Sequence, residues 1–201
     1  YKYSGKPLST NIQSDVVDKM EDSGYEAAKT GFSFGTSVEQ YEDLFFSPQF
    51  STYYEHLTTD ATASDNLKKQ AGDYFETAFS YNIDYDKRNQ TWQTTEGFRS
   101  KFTQSIPIIS DNYAMLNGYQ FTKWIDFEND LIAKVDFYGR AKNSLTGDNV
   151  RVSERLHLPS KRLRGFNYRS IGPVDGNDYV GGNFSAAVNF SSTLPMIFPS
   201  V

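Results

Sequence analysis

Four carboxylates, Glu76, Asp84, Asp86 and Asp136, and the pair His157 and Ser160 are the side chains of this 201-residue chain whose types could support catalysis. Two positioned carboxyls can pass a proton to and from a reacting group, and a histidine can deprotonate a serine hydroxyl to make a nucleophile. Their settings speak against both. Ser160 lacks the Gly-x-Ser-x-Gly elbow that presents a nucleophile on a sharp turn. The carboxylates fall on strand-like segments, where charge on one face is the background of a membrane barrel. There is no cysteine, and the two histidines, His56 and His157, stand far apart. Disulfides, thiolate catalysis and Cys- or His-rich metal centres are thereby removed. The chain reads as a non-enzyme without cofactor or metal.

Recognition chemistry is better represented. Residues 151–183 contain Arg151-Val152-Ser153-Glu154-Arg155-Leu156, then Leu163-Arg164-Gly165-Phe166, then Ile171-Gly172-Pro173-Val174-Asp175-Gly176-Asn177-Asp178-Tyr179-Val180-Gly181-Gly182-Asn183. Gly-Pro and Asp-Gly pairs make turns, so a plain surface loop would share these features. Connections this long inside a domain are nevertheless uncommon and are usually functional or disordered.

The elements that must carry this loop are read from period two. With 14 Tyr, 16 Phe and 2 Trp the chain is too aromatic to be disordered. Its 20 basic against 25 acidic residues, net −5, give no sign of a nucleic-acid binder. No apolar run is long enough for a spanning helix, and the mean hydropathy is −0.60. Transmembrane β-strands escape that test because they alternate. In 74–86, Phe75, Thr77, Phe79, Tyr81, Ile83 and Tyr85 share one face. In 98–108, Phe98, Ser100, Phe102, Gln104, Ile106 and Ile108 do; in 131–141, Leu131, Ala133, Val135, Phe137, Gly139 and Ala141; in 183–194, Phe184, Ala186, Val188, Phe190, Ser192 and Leu194. None of these positions is charged, whereas Glu76, Asp84, Arg99, Lys101, Lys134, Asp136 and Arg140 lie opposite. A lipid-facing charge costs roughly 2–4 kcal/mol at the midplane, which accounts for such a gap.

Weaker strands are expected at 31–39, 48–56 and 118–127, and one or two helical turns at 64–70 with Ser64 as N-cap. Long connections are expected at 5–25, 59–72 and 143–178, alternating with short ones at 41–47, 89–97 and 127–130, the plan of an outer-membrane barrel. Starting at Tyr1 in mid-strand, without initiator Met or signal-like segment, the chain is expected to be an internal piece. A soluble β-sandwich or lipocalin-like barrel has the same alternation with the apolar side turned inward, and remains the alternative.

The 151–183 segment resembles the signature loop of the BamA family of outer-membrane protein assembly factors, in which Arg-Gly-Phe sits between two late barrel strands. The Gly-Pro-x-Asp-Gly-x-Asp-x-x-Gly-Gly-Asn continuation is similar to alphaproteobacterial members and their mitochondrial relatives. Gly35-Thr36-Ser37-Val38-Glu39-Gln40-Tyr41 with Phe46-Ser47-Pro48, and Asp86-Lys87-Arg88-Asn89 with Gly97-Phe98-Arg99, resemble turn and strand-start patterns of the same barrel. The resemblance implies an all-β fold, an antiparallel meander forming part of a transmembrane barrel, about seven to eight of roughly sixteen strands. Residues 1–201 would be one partial barrel domain, with 143–178 an extracellular loop folding back into the lumen. Arg164 would pair with an acidic residue beyond Val201, Gly165 would permit close backbone approach, and Phe166 would pack on the inner wall. Gly172, Asp175, Gly176, Gly181 and Gly182 would support the loop. The implied function is folding and inserting β-barrel clients into an outer membrane by strand templating at a lateral seam. Unfolded outer-membrane clients, accessory assembly lipoproteins and the lipid bilayer would be its partners, and a bacterial outer membrane its location, with the mitochondrial one as alternative. A secretion transporter of the same superfamily, the mitochondrial sorting and assembly barrel, or a plain pore are the competing readings.

Overall fold

The computed structural model describes residues 2–3, 6–17, 24–127 and 131–193. The strands are β1 (Lys2–Tyr3), β2 (Lys6–Val17), β3 (Tyr25–Tyr41), β4 (Leu44–Thr59), β5 (Gly72–Asp86), β6 (Gly97–Ser110), β7 (Ala114–Asp126), β8 (Ile132–Ser144), β9 (Val174–Asp175), β10 (Asp178–Tyr179) and β11 (Phe184–Thr193). Among the described residues, β1 to β8 and then β11 form one nine-stranded antiparallel sheet in chain order, and β9 and β10 make a separate hairpin. The expected all-β meander is what the chain forms.

Alternation decides which side of this sheet meets which medium. Register carries the aromatic positions across the wall as continuous rows: Phe34↔Phe50↔Phe79↔Ile106 in one, Phe121↔Phe137↔Val188 in another. Neighbouring rings touch, as Tyr81 and Phe102 do at 6.2 Å and Tyr119 and Phe137 at 6.1 Å between centroids. These side chains are not a buried core. Phe137 is 39% exposed and Phe190 77%, and an apolar band of this extent on a free surface marks contact with a membrane or partner. On β5 the uncharged outward positions run from Phe75 to Tyr85, the ~9–11 residues a tilted strand needs to cross hydrocarbon. Polar groups on that side satisfy one another: Tyr81 Oη donates to Gln104 Oε1 at 2.8 Å, and Gln104 donates to Asn117 at 2.6 Å. In a medium without water an unpaired amide there would be costly. The charged outward residues stand near strand ends: Lys123 near the end of β7 beside Phe98, 6.0 Å from the ring centre, and Glu26 and Asp73 near the starts of β3 and β5. The alternative of a soluble sandwich, with aromatics packed inward, does not describe this arrangement.

Two expectations are corrected. Residues 5–25 are not one long connection, because β2 lies within them and pairs with β3 from Leu8↔Val38 to Val17↔Lys29. The alternation in 98–108 also breaks: β5 and β6 shift register between Thr77 and Ala78, so that Ala78 opposes Pro107 and Thr77 opposes Ile109. Ile108 is the extra residue of a bulge, and Ile109, not Ile108, takes the outward pairing. Strands β3, β4, β5, β7 and β8 are longer than expected, β3 and β4 meeting at a tight turn where Asp43 adopts φ 63° and its amide donates to Glu39. Leu194 lies outside the described residues.

The expected helical turn is α1 (Asp65–Lys68), with Ser64 Oγ capping the Leu67 amide at 3.2 Å. It drops Leu67 into a small apolar cluster with Tyr25, Ala27, Leu57, Ala63, Val152 and Val180. Because Val152 and Val180 come from the connection between β8 and β11, this cluster ties the long loop to the ends of β3 and β4.

Candidate functional site

The polar face of the sheet receives residues 145–183, and it does so through charge. Lys29 and Glu55 are directly paired across β3 and β4, 3.5 Å apart. Arg151 enters from the loop to Glu55 at 2.8 Å and lies 4.2 Å from the centre of the Tyr74 ring. Glu55 is 0% exposed and Arg151 3%. A short 3₁₀ turn, Val152–Glu154, then places Glu154 in ion pairs with both Lys29 of β3 and Lys142 of β8, while Tyr53 Oη donates to it at 3.2 Å. Burial alone would raise the Glu154 carboxyl, but the Lys142 and Lys29 ammonium groups outweigh it and hold it far below the usual carboxylate range. The backbone of this limb is fixed as well. Val152 N donates to Gln70 Oε1 at 2.8 Å, and Leu156 and Gly182 exchange hydrogen bonds at 2.7 and 3.0 Å.

A second contact follows eight residues later. Arg162, in the 3₁₀ turn Ser160–Arg162, forms an ion pair with Asp136 of β8 and sits 5.0 Å from the centre of the Tyr138 ring. Asn189 of β11 donates to the Arg162 carbonyl at 2.8 Å, and Thr122 of β7 donates to Asp136 at 2.9 Å. Three neighbouring strands thus hold one loop arginine.

The expected polar-face charges all lie on this side. Asp84 receives Arg99 Nε at 2.9 Å, Glu76 is reached by Ser110 Oγ at 3.3 Å, Lys134 sits 5.4 Å from the Trp124 ring centre, and Arg140 5.6 Å from that of Tyr138. Lys101 stands opposite Asp84 in register. These are wall contacts, each carboxylate with its own partner. Neither His157 ring nitrogen makes a hydrogen bond, so no Ser160–His157 couple is formed. Burial, helped by the nearby Arg169 charge, lowers the His157 pKa from 6.5 to about 4.

The Arg-Gly-Phe motif itself takes a different position. Arg164 is exposed, at the rim of a cleft of about 540 Å³ lined by Lys134, Asp136, Arg162 and Asn189. Gly165 adopts φ 86°, which favours glycine, and Phe166 is 56% exposed against its own loop. Among the described residues it is Arg162, not Arg164, that meets an acid. Beyond the motif, Gly176 has φ 66° at the first central position of the β9–β10 hairpin, between Asp175 and Asp178, as a type II′ turn requires. Gly181, at φ 71°, has the His157 Nε2 only 2.7 Å from where a Cβ would stand. Gly182 carries the bridge to Leu156, and Gly172 adopts φ 131° in open space.

The Omp85 superfamily domain matches residues 2–200. The chain belongs to the Omp85 superfamily. A SAM50-like protein of Schizosaccharomyces pombe is 24% identical over 202 residues, covering 94% of this chain and 42% of that protein. The crystal structure of BamA from Haemophilus ducreyi lacking POTRA domains 1–3 superposes with a TM-score of 0.82 at 18% identity, over 98% of this chain and 43% of that one. The chain therefore spans less than half the length of each. BamA and SAM50 homologues in this superfamily are outer-membrane proteins of bacteria and mitochondria, and the apolar band described above is the surface of an outer-membrane wall.

Proposed function

We propose that this Omp85 wall belongs to a protein that folds and inserts β-barrel clients into an outer membrane, with the 145–183 loop as its internal working part. The activity involves no covalent step: an incoming strand is templated by edge pairing at a lateral seam, the chemistry of strand addition. Unfolded barrel proteins are the clients, accessory lipoproteins the partners, and the bilayer the medium. The observation that carries the reading is the insertion of a long, arginine-bearing loop against the polar side of an Omp85 wall, which a plain pore would not need. In this reading Arg164, exposed at the rim of the cleft beside Arg162, reaches a further wall strand and Phe166 follows it. Replacement Arg164→Ala in the full-length protein is expected to lower the steady-state level of client barrels several-fold, measured by quantitative blotting of outer membranes. Unaltered client levels would overturn the role. Similarity to the fungal SAM50-like protein supports a second reading, the same activity in a mitochondrial outer membrane; complementation of a strain depleted of either factor separates the two.

A further inference from the structure

Glu154 touches Lys29 on β3 and Lys142 on β8 at once, although β4, β5, β6 and β7 intervene in the sheet. Five strand spacings of ~4.8 Å would hold β3 and β8 about 24 Å apart in a flat sheet. One carboxylate can reach both lysines only because the wall curls around it. Arg151 adds a second tie to the same side of the curl, through Glu55 on β4 at 2.8 Å, and is itself 3.6 Å from Glu154. The lysines and arginine converge on two carboxylates in a largely buried setting, where each charge compensates the others.

We infer that the limb Arg151–Glu154 is a cross-brace: it spans the concave side of the wall from β3–β4 to β8, sets the curvature of this part of the barrel, and anchors the loop without help from Arg164. Glu154 is the positioning residue of this brace, and the lysines it joins belong to wall strands that share no backbone hydrogen bond. The inference stands on the fold and the ion pairs, and does not require the assembly role to be right. Wall curvature thereby becomes coupled to the state of the loop, since the limb cannot leave without releasing β3 from β8.

The test uses the full-length protein in liposomes. Glu154→Gln removes the shared charge and keeps the side-chain volume. Two quantities are read: tryptic cleavage after Arg155, by mass spectrometry, and the distance between nitroxide labels on the outward positions Thr30 of β3 and Ala141 of β8. The brace requires cleavage to accelerate by at least roughly tenfold, given what an uncompensated buried charge costs, and the label distances to lengthen and broaden. If either quantity stays at the parent value, the inference fails. Should Glu154→Gln not reach the compact form on unheated gels, Glu55→Gln is read by the same rule. Arg164→Ala serves as the contrast and is expected to leave cleavage after Arg155 at the parent rate; acceleration matching that of Glu154→Gln would overturn the claim of independence. Client levels in Arg164→Ala bear only on the assembly role, so the two readings fail separately.

Discussion

The two limbs of the loop between β8 and β11 are held by different means. Residues 150–162 are fixed to the wall by buried charge: Arg151 on Glu55, Glu154 between two lysines, Arg162 on Asp136. Residues 164–168 are exposed, until Arg169 returns to the Tyr25 hydroxyl at 3.0 Å. The limb with the most recognisable motif is thus the less anchored one. Buried ion pairs are strongly directional and costly to break singly, whereas an exposed arginine and phenylalanine are available for further contacts. The contrast separates two duties that a single motif would otherwise be credited with, holding the loop in place and presenting something from it.

The sharpest way to break this contrast is Arg151→Ala, which leaves the fully buried Glu55 with only the more distant Lys29. Its expected cost is about 3–5 kcal/mol, seen as a lower denaturant midpoint for the folded barrel, while Arg164→Ala should shift that midpoint by less than about 1 kcal/mol. Equal shifts would erase the distinction. A smaller effect is expected from pH. His157 has a folded pKa near 4 against 6.5 unfolded, so docking is fully stable above pH 6.5 and weakens as protons bind the released ring between pH 6.5 and about 4. Protection factors of the amides of residues 155–160, corrected for the pH dependence of intrinsic exchange, should fall as the pH is lowered across that window, and His157→Gln should flatten the fall. Gly165→Ala has a smaller, local effect. Nothing lies within 4 Å of the added Cβ, so only the φ of 86° is at issue, costing about 1–2 kcal/mol locally with protease protection of the anchored limb unchanged.

Much of the wall was legible in the sequence, because Phe75 to Tyr85 and Val135 to Ala141 alternate without interruption and a membrane forbids charge on one side. Strand β2 was not. Its apolar residues Leu8, Ile12 and Val16 are separated by Thr10 and Ser14, so both faces read as polar. The bulge at Thr77/Ala78 was hidden for the opposite reason, since Ile106, Ile108 and Ile109 are all apolar and either parity satisfies them. At the site, parity alone placed Glu76, Asp84, Asp136 and their neighbours on the polar side. The Lys29–Glu55–Arg151–Glu154–Lys142 network was missed. Lys29 lies before the strand expected at 31–39, Glu55 within 48–56 has no partner among the expected strands, and nothing in one dimension says that β3 and β8 curl to a common point. The cross-strand pair Lys29↔Glu55 was the available signal. Likewise the pairing of Arg162, two residues before the motif, follows from the length of the 3₁₀ turn and not from any sequence pattern.

Lys123 gives the molecule a waterline. Its ammonium group stands on the outward side near the end of β7, at the same end of the sheet as Trp92 of the β5–β6 turn, which is 80% exposed. An amine on a long stem reaches up to the headgroups while its methylenes stay in oil, and indoles prefer the same level. The depth at which the wall floats is therefore set at this rim, and the cavity it encloses is carried up or down with it.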